Sequence, residues 1–277
     1  MFLIALGLAG LLFGIGSSEV RRFENAAAQD ISSRLSGTDK QVKVRTKLDP
    51  IQALGGRMKS ATISASGFST NGLPLFTQPW NPKSGRLGEL KINLKDFSLS
   101  GLKVLSLEAN IPSCRFDFGL AQRRGQIRLT ESGVGTGMVR VTQKALQEFA
   151  LRRLPALQRL NIQLAGDKAT IAGSGRFVNF QTDVTIVGRL VSPDGTRVEV
   201  ADATVEIGGK QATEQMAHFV LQIINPVLDL NRDLHLFGAL KIEEIRLEDG
   251  LLVATGAARI PNHPVGTWIV SLGLYLP

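Results

Sequence analysis

The sequence predicts an α+β protein in which a long, curved antiparallel β-sheet wraps against amphipathic helices. Three observations predict it. Apolar residues alternate at period two through most of residues 41–130 and 158–207. Three other stretches repeat apolar residues at helical spacing, and short turn signals such as Asn71-Gly72 separate the strand-like runs. With 277 residues, 43% of them hydrophobic, the chain is long enough to bury a substantial core.

Residues 1–18 carry no charge, and Glu19, Arg21 and Arg22 follow. As a helix this segment would be about 27 Å long, at the lower edge of a bilayer's hydrocarbon core. A secretory signal begins with a basic region, which is missing here, although Gly14-Ile15-Gly16 is a tolerable cleavage site. Gly10 and Gly14 share one helical face, the spacing that lets two helices approach closely. We expect residues 1–18 to be retained as a helical membrane anchor, with Arg21 and Arg22 holding the rest of the chain on the cytoplasmic side if the segment spans. Val20, Phe23, Ala27, Ile31 and Leu35 then recur at three- and four-residue steps, so the helix is expected to continue, now one-sided, to Leu35 before Gly37.

Strands are expected around Val42 and Val44, Ile63 and Ala65, Leu90, Ile92 and Leu94, Leu105 and Leu107, and Ile127 and Leu129. The stretch LDPIQALGG interrupts them with an Asp49 cap, Pro50 at the first turn and Gly55-Gly56 at the end, which describes one short helix. Gly133 to Gly137 reads as a flexible connector, because its spacing is wrong for a dinucleotide turn and no convincing strand precedes it. A second amphipathic helix begins near Thr142, puts Leu146, Phe149, Ala150 and Leu154 on one face, and stops at Pro155. Strands return at 158–207, broken by the turn Pro193-Asp194-Gly195. In the third helix Met216, Phe219, Val220, Ile223, Ile224 and Val227 fall at i, i+3, i+4, i+7, i+8 and i+11, and Pro226 should kink or end it.

The segments 161–177 and 244–260 align without gaps, each placing a turn between two short strands after a helix, and read as a repeated helix-then-hairpin unit. The tail PVGTWIVSLGLYLP is too short to span a membrane; an edge strand or a surface contact through Trp268 and Tyr275 fits it better. The expected organisation is an anchor over 1–18, a body over 19–262 and an apolar tail over 263–277.

The net charge of +8 points to an acidic partner, while the 6% aromatic content and single tyrosine undersupply the stacking platforms of single-strand nucleic-acid binders. Basic residues occur as scattered pairs and never as a long run, so solvated faces account for most of them. The single cysteine, Cys114, cannot form an intramolecular disulfide and reads as a buried strand thiol. No GxSxG elbow, P-loop, HExxH or CxxC occurs, and His218, His235 and His263 stand far apart without metal-ligand neighbours. Glu243 and Glu244 are adjacent on an expected strand and point to opposite faces. No catalytic residue, metal or cofactor is expected.

The order of pieces is similar to the LmeA-like phospholipid-binding family of bacterial envelope proteins, whose fold resembles the tubular lipid-binding (TULIP) architecture. The resemblance covers about residues 16–262 and is carried by GSSEVRRFENAAAQDISSRL, GGRMKSATISASGFS at 55–69, the region from VEIGGK to INPVLDL, and IEEIRLEDGLLVATG. One departure is LHLFGALKI at 234–242, where many members have Leu-Pro before the final hairpin. The resemblance implies a membrane-associated, non-catalytic protein of the bacterial cell envelope with a role in lipid transport or maintenance. Its partners would be a phospholipid, anionic by charge complementarity, and the membrane surface, with no nucleic acid.

On that reading Leu146, Phe149, Met216, Phe219 and Ile223 would line a hydrophobic groove, and Arg152, Arg153 and Arg159 would hold the phosphate at its mouth. A dry, fully packed core fits the same apolar stripes equally well. An envelope scaffold or assembly factor without bound lipid is the alternative function, and a glycolipid-processing enzyme would need converging polar residues that the sequence does not display.

Overall fold

A computed structural model describes residues 17–48, 55–72, 78, 80–153, 157–177 and 180–260. Residues 1–16 of the expected anchor, residues 49–54 of the expected short helix and the C-terminal tail lie outside these residues, as does Leu154. The elements in chain order are α1 (Ser17–Ser33), β1 (Gln41–Leu48), β2 (Arg57–Ser66), β3 (Ser69–Thr70), β4 (Gly85–Leu99), β5 (Leu102–Phe116), α2 (Phe118–Arg124), β6 (Leu129–Glu131) and β7 (Gly135–Thr142). They continue with α3 (Gln143–Arg153), β8 (Leu157–Ala165), β9 (Lys168–Phe177), β10 (Phe180–Val191), β11 (Arg197–Ile207), β12 (Lys210–Gln211), α4 (Glu214–Ile224), β13 (Leu228–Asp229), β14 (Leu240–Glu248) and β15 (Leu251–Ala258). The fold is α+β with long antiparallel strands, as the alternation predicts.

The chain forms two compact units. One takes the residues up to Leu94, Glu108–Thr136 and those from Ala258 onward; the other takes Lys95–Leu107 and Gly137–Ala257.

In the first unit the strands lie in the order β1-β2-β4-β5, with β3 on β4 and β6 on β5. Helix α1 packs on β1 and buries Ala27 and Ile31. Its polar side is tied down as well. The Asp30 carboxylate accepts from both Arg128 guanidinium nitrogens at 2.7 and 3.0 Å, and Glu24 accepts from the Thr46 amide at 2.6 Å. Arg128 is 2% exposed and Asp30 half-buried, so the guanidinium end of this pair is buried. Cys114 is buried in β5, and burial pushes its thiol up to about 12.

Helix α2 differs from the expectation of strands through residue 130. The Asp117 side chain accepts from the Leu120 amide at 2.9 Å, and Gly125 ends the helix at φ 63° while donating to the Ala121 carbonyl. A seven-residue helix shows too little periodicity to compete with the alternation around it. Gly133–Gly137 also departs from expectation, since its second half opens β7. A Cβ on Gly135 would lie 1.9 Å from the Asn110 carbonyl oxygen, so glycine here answers to close backbone approach in a strand and not to flexibility.

In the second unit β4 and β5 contribute Lys95–Leu99 and Leu102–Leu107 to a sheet that continues β7-β15-β14, and a second sheet runs β12-β11-β10-β9-β8, with β13 on β11. Helix α3 packs on β8 and α4 on β11. The two sheets meet where β14 touches β8 and β10. The resembling segments do form two hairpins, β8–β9 and β14–β15, but fourteen residues of loop and short strand, 225–238, intervene before Ala239 and β14. Helix α4 ends at Ile224, before Pro226, so Val227 is not part of its stripe. The Val227 amide instead donates to the Val198 carbonyl at 2.8 Å.

Long strands do not keep one inward phase. β4 buries Leu87, then Leu90, and after Asp96 at φ 47° it buries Phe97 and Leu99. A residue in the left-handed region inside a strand shifts the alternation by a step. At the start of β5 Leu102 and Val104 are buried, whereas Leu105, expected inward beside Leu107, is 40% exposed.

Candidate functional site

Between the sheets of the second unit lies a cavity of about 60 Å³ with an almost wholly carbon surface. Strand residues Leu99, Leu102, Val139, Val141, Val198 and Leu252 form most of its wall, and the loop between β13 and β14 closes it with Leu230, Leu234 and Leu236. By the usual allowance of about 15 Å³ per water-sized group, it has room for roughly four methylene-sized groups.

The loop is held by a polar network on its far side. Arg153, at the end of α3, donates to the Pro226 and Val227 carbonyls at 2.7 and 2.8 Å and stands 3.2 Å from the Asp233 carboxylate. Burial lowers the Arg153 pKa from its ordinary value and the Asp233 charge opposes that shift. Asp233 also accepts from the Asp229 amide at 2.8 Å, and Asp229 accepts from the Asn231 and Arg232 amides at 2.9 Å each. The Leu236 amide closes the loop on the Leu230 carbonyl at 2.9 Å. With its backbone satisfied in this way, the loop can turn leucines inward without burying unpaired amides.

The eight residues singled out from the sequence fall into three places. Leu146 and Phe149 are buried at 6% and 8% where α3 packs on β8. Met216, Phe219 and Ile223 are 49%, 44% and 41% exposed, while Val220 and Ile224, on the adjacent arc of α4, are buried. Arg152 donates to the Gly101 carbonyl, Arg153 holds the loop, and Arg159 is exposed on β8. None of the eight is part of the cavity surface. Leu234 and Leu236 are not among the eight, although the alternation L-H-L-F at 234–237 is a sequence signal for them.

An α+β fold of long antiparallel strands, with a carbon-lined cavity in one unit, defines the class by its architecture. Among the described residues no group of three His, Cys, Asp or Glu side chains could hold a metal, and no helix is long and apolar enough to cross a membrane. The family model described as LmeA-like phospholipid-binding matches residues 19–257. The chain belongs to that family, a phospholipid-binding one. No curated protein and no solved structure matches it.

Proposed function

We propose that this protein is a non-catalytic, membrane-associated phospholipid carrier of the bacterial cell envelope, acting in lipid transport or maintenance, and that it holds acyl-chain carbons in the cavity of the second unit. The observation that carries this reading is the carbon surface of that cavity: almost wholly apolar, it suits methylenes, each contributing about 0.8 kcal/mol when buried. Four methylene-sized groups are a fraction of an acyl chain, so the cavity would take the end of a chain and leave the rest outside it.

Native mass spectrometry after gentle detergent extraction tests the reading. The parent should carry a phospholipid, and Val141→Trp, which fills the cavity, should lose most of it while keeping its fold by circular dichroism. A folded Val141→Trp protein with undiminished lipid removes the cavity from the reading. A parent that is bare but bound to a stable protein partner favours the scaffold alternative.

A further inference from the structure

Residues 234–237 face alternately in and out. Leu234 and Leu236 are buried in the cavity wall, while His235 is exposed and Phe237 keeps 45% of its surface in solvent. Both outward residues sit at positive φ, 55° and 41°, a region that side chains with a Cβ rarely adopt. Such strain persists only where the surroundings enforce it, and it gathers at functional segments. Here the Leu236 amide on the Leu230 carbonyl and the Gly238 amide on the Asn231 side chain bracket the two residues, and an aromatic ring is displayed to solvent.

The ring's neighbour, His235, leads to a polar turn with basic side chains on it. His235 Nδ1 lies 3.3 Å from the Ser100 hydroxyl, and the His235 and Phe237 rings are 6.1 Å apart. Ser100 and Gly101 form the turn between β4 and β5, and the flanking Leu99 and Leu102 are cavity wall. Arg152 donates to the Gly101 carbonyl; Lys103 pairs with Glu148 at 2.8 Å. Lys103, Arg152, Arg153 and Arg232 stand against Glu148, Asp229 and Asp233, one positive charge in excess among these groups.

The geometry points to this end of the second unit as the surface that docks on an anionic phospholipid bilayer, with Phe237 entering the interfacial layer and Arg152 and Lys103 meeting headgroup phosphates. Charge complementarity selects this occupant: an exposed phenyl ring is buried favourably at the headgroup–acyl boundary, and exposed basic side chains are drawn to anionic leaflets. The inference rests on the proposed function, since a chain leaving the leaflet here would meet the cavity wall at Leu99, Leu102, Leu234 and Leu236.

The test uses the full chain carrying Phe237→Trp, mixed with vesicles of equal parts phosphatidylcholine and phosphatidylglycerol bearing bromine on the acyl chains. Relative to the parent, whose own tryptophans set the baseline, the added emission should fall about twofold or more, and Arg152→Gln with Lys103→Gln or vesicles of phosphatidylcholine alone should restore it. Added emission as bright in brominated vesicles as in buffer overturns the docking surface, and equal quenching without anionic lipid overturns its anionic partner. Should Phe237→Trp fold poorly, a nitroxide on Ser100→Cys reads the same depth, because Cys114 is buried. Native mass spectrometry of the same preparation separates the two ideas. Quenching with no co-purified phospholipid leaves the docking surface standing without the occupied cavity, and phospholipid without quenching does the reverse.

Discussion

Asp30 and Arg128 show how single side chains hold this chain together. Burial alone would raise the Asp30 pKa, but the Arg128 hydrogen bonds and the charges of Arg128 and Arg34 outweigh it, so the carboxyl titrates below its usual 3.8. A depressed carboxylate contributes stability that is present above its unfolded pKa and lost as pH falls through its folded one. Thermal melts taken down from neutral pH should therefore show an acid-dependent loss of stability below about pH 4 that is smaller in Asp30→Asn. At neutral pH Asp30→Asn should itself cost about 3–5 kcal/mol in chemical denaturation, because it leaves the Arg128 charge buried and unpaired. Retention of parental stability would show that the pair is idle. The sequence disclosed little at this scale. Cys114 was legible as a buried strand thiol, since an isolated cysteine among alternating apolar residues has few other places to go. The partner of Asp30 was not, because ninety-eight residues separate the two and nothing local links them.

Helix α4 makes the corresponding point for an element. Its spacing announces the helix, and Pro226 its end, but spacing gives only a wide apolar arc. Which part of the arc is covered depends on where β11 packs. Val220 and Ile224 are buried there, and Met216, Phe219 and Ile223 are left half in solvent. We therefore expect Phe219→Asp to shift stability by less than about 1 kcal/mol, whereas Val220→Asp, which buries a charge without a partner, should unfold the protein or nearly so. Urea denaturation of the two variants side by side checks this, and equal losses would place Phe219 in the core. The strands were legible in existence and less so in phase. A fifteen-residue strand such as β4 carries a left-handed residue at Asp96 that reverses inside and outside partway along, and no propensity of aspartate foretells where.

At the scale of the molecule, the net charge of +8 sets an expectation for membranes. Binding of the full chain to anionic vesicles should weaken with added salt, since exposed charges are screened over about 8 Å at physiological ionic strength. Sedimentation across a salt series reads it, and salt-indifferent binding would shift the weight to apolar contacts alone. The α+β class and the family were readable because alternation and turns run the length of the body. The cavity was not, since its walls come from β4, β5, β7, β11, β14, β15 and a loop that sequence treats as unrelated. The division of the chain adds a matter of timing. The first unit is completed by residues from Ala258 onward, where the Ile260 amide donates to the Ser132 hydroxyl across 128 residues of chain. At about 5–20 residues per second of synthesis, α1 and its sheet wait roughly ten seconds for that last piece while the whole second unit is being made. The Ile260–Ser132 contact thus closes only after the residues of the second unit have been made.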